Sequence, residues 1–142
     1  MDKDDPTYFA IVYADADYPE LEAVNGGCWV TEDVYQFTYC DCEMRLVKGV
    51  TIFDSPEEAL DAAIAGVYKE IDNDIQALKS NCRYMRTMGE QLHDPNLFSS
   101  GNTPYDEVLL SATTLPVKFA SAAAALQKYA IQYAHLVEIA YL

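Results

Sequence analysis

The fold of this chain is decided by residues 55–89, which read SPEEALDAAIAGVYKEIDNDIQALKSNCRYMRTMG. Apolar side chains recur along this run every three or four positions, and that spacing is the period of a helix rather than of a strand. Ser55 and Glu58 have the spacing of a capping box, and Pro56 falls at the first helical position, where its missing N–H costs nothing. We therefore predict one long helix over residues 56–88, with Gly89 as its C-terminal cap.

The same periodicity predicts which side of this helix is buried. The positions on that side are Leu60, Ile64, Val67, Ile71, Ile75, Leu78, Cys82, Met85 and Met88. A second helix is predicted over residues 116–142, with Pro116 near its first turn, and its apolar positions also step by three and four. These positions are Phe119, Ala123, Leu126, Ala130, Tyr133, Val137 and Ala140. Residues 89–115 are then a connector, within which Asp106–Ser111 forms either a short helix or an edge strand. We expect the two helices to pack as an antiparallel hairpin.

The first third of the chain, residues 7–53, has the composition of a small β-sheet. Tyr8–Tyr13 is apolar on both faces and rich in β-formers, which predicts a central strand. A helical turn is predicted over Glu20–Val24. The other predicted elements are a hairpin of Cys28–Thr31 and Val34–Tyr39, a turn or bulge near Asp41, and a strand over Arg45–Phe53 interrupted at Lys48-Gly49. We therefore expect one α+β domain over residues 1–142: three or four antiparallel strands followed by two long helices.

The chain is strongly acidic, because its 23 Asp and Glu residues outnumber its 9 Lys and Arg residues and give a formal net charge of −14. Nucleic-acid binders need a basic footprint, and an anionic membrane surface repels acidic chains, so neither is predicted as a direct partner. The N-terminus lacks the basic and apolar regions of a secretory signal, and no apolar run reaches transmembrane length. We therefore expect a cytoplasmic protein.

The four cysteines, at positions 28, 40, 42 and 82, are too unevenly spaced for a disulfide framework. Zinc knuckles usually place two to four residues between paired cysteines, whereas one residue separates Cys40 from Cys42. If the predicted hairpin turns at Glu32-Asp33, Cys28 lies opposite Phe37 and faces away from both. We therefore predict no metal site and no cofactor, and we interpret the cysteines as small buried apolar residues.

Acidic residues of the sheet region form the predicted binding surface for a partner. They are Asp15, Asp17, Glu20, Glu22, Glu32 and Asp33. Such a group of carboxylates attracts a basic protein surface and speeds association with it. The alternative interpretation is a solvated acidic face that serves solubility alone.

The one local cluster of positive charge lies near the end of the first helix. Lys79, Arg83 and Arg86 follow the spacing i, i+4, i+7 and therefore share one stripe, with Tyr84 beside them. Guanidinium groups and an aromatic ring are suited to a phosphate or nucleotide, so these four residues are a candidate anion site. The alternative is that the cations complement the helix dipole and pair with the surplus acids.

The second helix carries the prediction of a homo-oligomer. Its polar stripe is narrow, and the run from Ala120 to Ala125 consists of small residues that let a neighbour approach closely. A helix that is apolar on most sides is usually enclosed. We therefore expect copies of the chain to associate through the two long helices.

No catalytic motif accompanies these features, since nucleophile elbows, phosphate loops and dinucleotide fingerprints are missing from the sequence. The chain is therefore predicted to be a non-enzymatic acidic interaction protein that inhibits a basic protein partner. Phage anti-defence proteins, nuclease inhibitors and toxin-immunity proteins are of this type. Two alternatives stay open, namely an oligomeric binder of a nucleotide-like anion and a structural accessory subunit of a larger assembly.

Overall fold

The structure is a computed structural model that describes residues 6–13, 18–39, 41–92 and 104–142. Six strands precede two long helices, so the predicted α+β class is confirmed. The strands are β1 (Tyr8–Val12), β2 (Glu20–Val24), β3 (Cys28–Trp29), β4 (Val34–Tyr39), β5 (Cys42–Val47) and β6 (Ile52–Phe53). The helices are α1 (Pro56–Leu92) and α2 (Pro104–Tyr141). The strands form two antiparallel sheets of three, where one sheet of three or four is predicted.

The first sheet has the strand order β2-β1-β6, and β1 is its central strand, as predicted. The helical turn predicted over residues 20–24 is wrong, because this segment is β2 and pairs with β1 along its whole length. Pairing buries Leu21 and Val24, and that tertiary gain outweighs the local preference. The edge position of β2 is protected at one point, where the Leu21 N–H donates to Oε1 of Gln132 at 2.9 Å.

The second sheet has the order β3-β4-β5, and its first hairpin differs from the prediction by one residue of register. Trp29 pairs with Tyr35, so Cys28 lies opposite Gln36 and not opposite Phe37. The loop is longer than predicted because the Thr31 hydroxyl accepts hydrogen bonds from two backbone N–H groups that follow it, at 3.2 and 3.1 Å. This threonine turn adds one residue to the loop and sets the register of β3.

Both predicted interruptions between the later strands are present. Asp41 has a φ of 66° in the turn between β4 and β5, and Gly49 has a φ of 78° in the turn between β5 and β6. Aspartate and glycine are among the residues that tolerate this left-handed backbone conformation. The two turns fold the chain back sharply, and β6 reaches β1, where Phe53 pairs with Phe9.

The two sheets share one apolar core. Its members come from both sheets: Ala10, Val12, Val24, Tyr35, Phe37, Leu46 and Ile52. Successive residues of a strand point to opposite faces, and residues 9–12 of β1 are all buried, so β1 is covered on both sides. The apolar run of β1 is the sequence signal for that position.

Helix α1 begins as predicted, with Pro56 first and the Glu58 N–H donating to Ser55 Oγ at 3.3 Å. It continues past Gly89 to Leu92, so the predicted C-terminal cap is wrong. Its fully buried face agrees with the predicted one at Val67 but is displaced by one residue in the first two turns. The side chains on that face are Ala59, Ala63 and Val67, whereas Leu60 and Ile64 are half-buried.

Helix α2 begins at Pro104, well before the predicted start, and Pro116 lies inside it. Residues 104–115, predicted as connector, are therefore helical. Pro104 at the first position and the acids Asp106 and Glu107 in the first turn are a helix start signal. The predicted buried face is wrong too, because an alanine-rich helix with few polar positions marks no face clearly. Its buried residues are Leu115, Ala122, Ala125, Tyr129 and Leu136.

The chain divides into two compact units, residues 1–67 with 125–142, and residues 68–124. In the first unit, Glu57 of α1 accepts hydrogen bonds from Tyr133 and Tyr141 of α2. In the second unit, Lys118 of α2 forms an ion pair with Asp74 of α1 at 3.2 Å. Residues late in α1 thus meet residues early in α2, so the predicted antiparallel hairpin is confirmed. The predictions of a single domain and of a cytoplasmic location stay predictions.

Candidate functional site

Two adjoining depressions in the first unit surround Trp29, and together we call them the Trp29 cleft. They have volumes of about 390 and 500 Å³. Tyr8, Trp29, Lys48 and Asp54 line both of them. The first is also lined by Glu58 and Asp61, and the second by Glu32 and Asp33.

Two aromatic rings that line the cleft, Tyr8 and Trp29, form a cluster with the buried ring of Tyr35. The ring centroids of Tyr8, Trp29 and Tyr35 lie 5.2–5.5 Å apart in edge-to-face arrangements. The indole Nε1–H of Trp29 donates a hydrogen bond to the Tyr8 hydroxyl at 3.2 Å. These contacts hold the indole in place, although 38% of Trp29 is exposed to solvent. The indole is therefore a fixed aromatic surface that a ligand can reach.

A glycine makes room for this cluster. The Gly27 N–H donates to the buried Tyr35 hydroxyl at 2.8 Å. A Cβ atom at Gly27 would come within 2.7 Å of the Tyr35 ring and 2.9 Å of Phe37 Cβ. Only glycine therefore fits between this turn and β4, and the same close approach positions β3 with Trp29.

The rim of the cleft is acidic because of two separate chain segments. Asp54, Glu58 and Asp61 come from the start of α1, where the helix dipole favours negative charge. Glu32 and Asp33 come from the loop between β3 and β4. Lys48 lies beside the second of these segments, because its backbone N–H donates to the Asp33 carbonyl at 2.8 Å.

Lys48 is the only basic residue among those that line the cleft, against five acidic ones, which leaves a net charge of −4. Its ammonium group forms no ion pair with any residue that the structure describes. The rim therefore keeps a net negative charge that the residues lining the cleft do not neutralise. Within the described ranges, no group of three or more His, Cys, Asp or Glu side chains is arranged to hold a metal ion. The cleft is therefore suited to an organic cation in contact with a ring.

The structure separates the residues of the predicted acidic surface. Glu32 and Asp33 are exposed and line the Trp29 cleft. Glu20 and Glu22 lie on β2 instead, where Lys128 Nζ is 4.0 Å from Glu20 and the Tyr39 hydroxyl donates to Glu22 at 3.3 Å. Tyr39 is the last residue of β4, whereas the loop with Glu32 and Asp33 precedes that strand. Tyr39, the partner of Glu22, is therefore about one strand length from this loop, roughly 17 Å. Asp15 and Asp17 lie outside the described residues.

The residues of the candidate anion site all lie on the second half of α1, in the second unit. Lys79, Arg83, Tyr84 and Arg86 are exposed there. Because α1 continues to Leu92, the three cations lie before its last turn rather than in it, and that turn contains no basic residue. Complementation of the helix dipole is weaker at this distance from the end. The anion site stays a prediction.

The interpretation of the cysteines as buried apolar residues is wrong for the three that the structure describes. Cys28, Cys42 and Cys82 are all exposed free thiols. Two of them belong to strands whose outer face is open to water, and the third lies on the open side of α1. Cys40 lies outside the described residues.

Sequence reasoning did not identify Tyr8, Trp29, Asp54, Glu58 and Asp61 as site residues. Two signals were present. Trp29 is the only tryptophan of the chain and lies in a hairpin that is too short to bury it. Acidic residues are common at the start of a helix because they complement its dipole, and that role does not exclude a second one.

Comparison with known proteins supplies no function for this arrangement. The chain matches no family model, no curated protein and no solved structure.

Proposed function

We propose that this protein binds a basic surface on another protein, and that a cationic side chain of the partner enters the Trp29 cleft. The observation that carries the proposal is the combination of an exposed indole with a carboxylate rim. A guanidinium or ammonium group is attracted both by the face of an aromatic ring and by carboxylates beside it. Arginine suits the cleft best, because a planar guanidinium stacks on the indole while its edge donates to the rim.

The charge of the cleft argues for this class of ligand over an anion. Five carboxylates against one lysine repel a phosphate or nucleotide. The formal net charge of −14 extends the same preference to the whole chain and speeds the approach of a basic partner. A binding function without catalysis is what the sequence predicts. Inhibition of a basic nuclease, toxin or defence protein is the form of that function that we propose.

The test uses the fluorescence of Trp29, which reports on the cleft alone because the chain has no other tryptophan. The purified full chain is titrated with a hexa-arginine peptide at low ionic strength, and in parallel with ATP. We expect the peptide to change the emission of Trp29 in a saturable way that added salt weakens. ATP is expected to leave the emission unchanged.

Two variants and one control locate the interaction. Asp54→Asn removes a rim charge and should weaken binding of the peptide about 2–5-fold, whereas Lys48→Ala should strengthen it by a similar factor. Asp72→Asn removes the same charge from an exposed position on α1 outside the cleft, and should change the affinity less than Asp54→Asn does.

Two results would contradict the proposal. Equal effects of Asp54→Asn and Asp72→Asn would mean that the peptide responds to net charge and not to the cleft. Saturable binding of ATP that Lys48→Ala abolishes would mean that the cleft holds an anion.

A further inference from the structure

The side chains that the structure describes in the second unit, residues 68–124, form only a small core. Among its described side chains, Leu115 and Ala122 are the two that are buried. Its two helical segments meet along a seam in which Ile71, Ile75 and Leu78 of α1 are only half-buried. Two helices bury too little apolar surface to enclose such a seam, and helix bundles usually complete their core with further helices.

Helix α2 presents an apolar stripe on the side opposite this seam. On the seam side, Val108, Ser111, Leu115 and Ala122 are buried or half-buried. A second set of positions lies two residues after the seam positions, which is about 200° away around the helix. The residues at these positions are exposed. They are Leu110, Thr113, Val117, Ala120 and Ala124, which step by three and four. We call this set the outer stripe.

The outer stripe has the composition of a helix–helix contact. Leu110 is 56% and Val117 is 65% exposed, so most of each apolar side chain faces solvent. Thr113, Ala120 and Ala124 are small, so another helix can approach the backbone closely. The three-and-four spacing is the period at which two helices interlock along a seam.

The charge distribution identifies what can approach this face. Residues 68–124 contain seven acidic and five basic residues, a net charge of −2, so the rest of the chain carries −12 of the total of −14. The outer stripe contains no charged residue, and the nearby Lys118 is paired with Asp74. A basic partner therefore finds little attraction here. A second copy of this chain meets its least repulsion here.

We propose that the outer stripe packs against the outer stripe of a second copy, so that α2 of one copy lies along α2 of the other and buries apolar surface that the two-helix unit leaves exposed. Like surfaces meet in a symmetric dimer, and an uncharged apolar stripe is complementary to itself. The competing occupant is lipid, because α2 is, among the described residues, the one helix long and apolar enough to cross a membrane. A second copy is the better occupant because Lys118, near the middle of α2, forms an ion pair with Asp74 of α1, and placing charged groups within a bilayer is costly.

The test is the mass of the full chain by light scattering across a wide range of concentrations. We expect a dimer of twice the chain mass of 15.9 kDa. Val117→Asp buries a carboxylate at the centre of the contact in both copies, and should weaken the dimer by about 100-fold or more. The control is Val50→Asp, at a valine of the first unit that is 60% exposed and is not part of the stripe, and it should stay dimeric.

Each other outcome counts against the proposal. A wild-type chain that is monomeric at every concentration overturns it, and so does a Val117→Asp chain that folds and stays dimeric. If Val117→Asp loses its helical circular dichroism, Ala120→Glu, which keeps a good helix former on the stripe, decides in its place. A monomer that floats with phosphatidylcholine vesicles assigns the stripe to lipid. Binding of hexa-arginine at Trp29 is expected to be the same in Val117→Asp and Ala120→Glu as in the wild type, so the two proposals fail separately.

Discussion

The carboxylate of Glu57 accepts a hydrogen bond from the hydroxyl of Tyr141 at 3.0 Å, although 84 positions of sequence separate the two residues. Tyr133 donates to the other carboxylate oxygen at 3.1 Å. A backbone N–H at the start of α1 is the main cause of a lowered pKa at Glu57, and the two phenols lower it further. The same hydrogen bonds raise the pKa of Tyr133 and of Tyr141. One exposed carboxylate thus connects the beginning of α1 to the end of α2.

This carboxylate should make stability depend on pH at the acid side. Because the pKa of Glu57 is lower in the folded chain, its contribution is present above its ordinary value of 4.5 and is lost as the pH falls through the folded value. Glu57→Gln should therefore lower the melting temperature at neutral pH and flatten its decline in acid. Thermal unfolding by circular dichroism between neutral and acid pH measures this. Glu138→Gln, an exposed acid elsewhere on α2, is the control, and an identical profile for both variants would contradict the assignment.

Replacement of Tyr129 by phenylalanine should make the protein more stable. Its side chain is fully buried, and its hydroxyl has no hydrogen-bond partner among the residues that the structure describes. Burial raises the pKa of Tyr129 to about 12, and the nearby tyrosines and Glu20 add to the effect. An unsatisfied buried hydroxyl costs free energy, so Tyr129→Phe should raise the free energy of unfolding by about 1 kcal/mol at neutral pH. Urea denaturation measures it.

The raised pKa adds an alkaline signature to the same variant. The stability associated with the neutral phenol is fully present below its ordinary pKa of 10.0 and is lost as the pH rises towards about 12. Tyr129→Phe should therefore lose less stability than the wild type over that interval. Equal alkaline losses in both proteins would mean that the hydroxyl is solvated.

Replacement of two glycines by alanine should change the free energy of unfolding in opposite directions. A Cβ at Gly27 would collide with the Gln36 carbonyl and the Tyr35 ring, so Gly27→Ala should lower the free energy of unfolding by about 2–3 kcal/mol. Gly66 lies inside α1 with nothing within 4 Å of its Cβ position. Gly66→Ala should raise the free energy of unfolding by about 0.5–1 kcal/mol through helix propensity. Chemical denaturation of both variants is the measurement, and a neutral Gly27→Ala would contradict the close approach of that turn to β4.

The three exposed cysteines should react quickly in the native protein. We expect a chromogenic disulfide reagent to label Cys28, Cys42 and Cys82 at rates close to those of the unfolded chain, because none is covered. Mass spectrometry of the labelled peptides identifies each site. Protection of any of the three in the native state would mean that another surface covers it.

The sequence predicts most where a local signal and the tertiary environment agree. The start of α1 at Ser55 and Pro56 and the central strand β1 can each be predicted from the local sequence alone. Both elements lie where the pattern predicts them. The turns at Asp41 and Gly49 are of the same kind, since backbone conformation restricts the residue type locally.

The errors have a common physical origin, which is that the deciding contact is distant in sequence. β2 is a strand because it pairs with β1, and the register of Trp29 depends on a threonine hydroxyl that closes its loop. The buried face of α2 is not marked by polarity, because alanines surround most of the helix. The Trp29 cleft could not be predicted from the sequence for the same reason, because its rings and carboxylates come together only when these long-range strand pairings form.

That dependence on pairing has a consequence for when the protein can act. Tyr8 reaches Trp29 only after β1 and the second sheet have packed, and Asp54 reaches the cleft only after Phe53 has paired with Phe9. A partly folded chain therefore lacks the cleft altogether, so under the proposed function an unfolded copy would bind no partner. A partner that bound the cleft as proposed would favour the native state by mass action, and its abundance would then affect how long each copy survives heat and proteolysis.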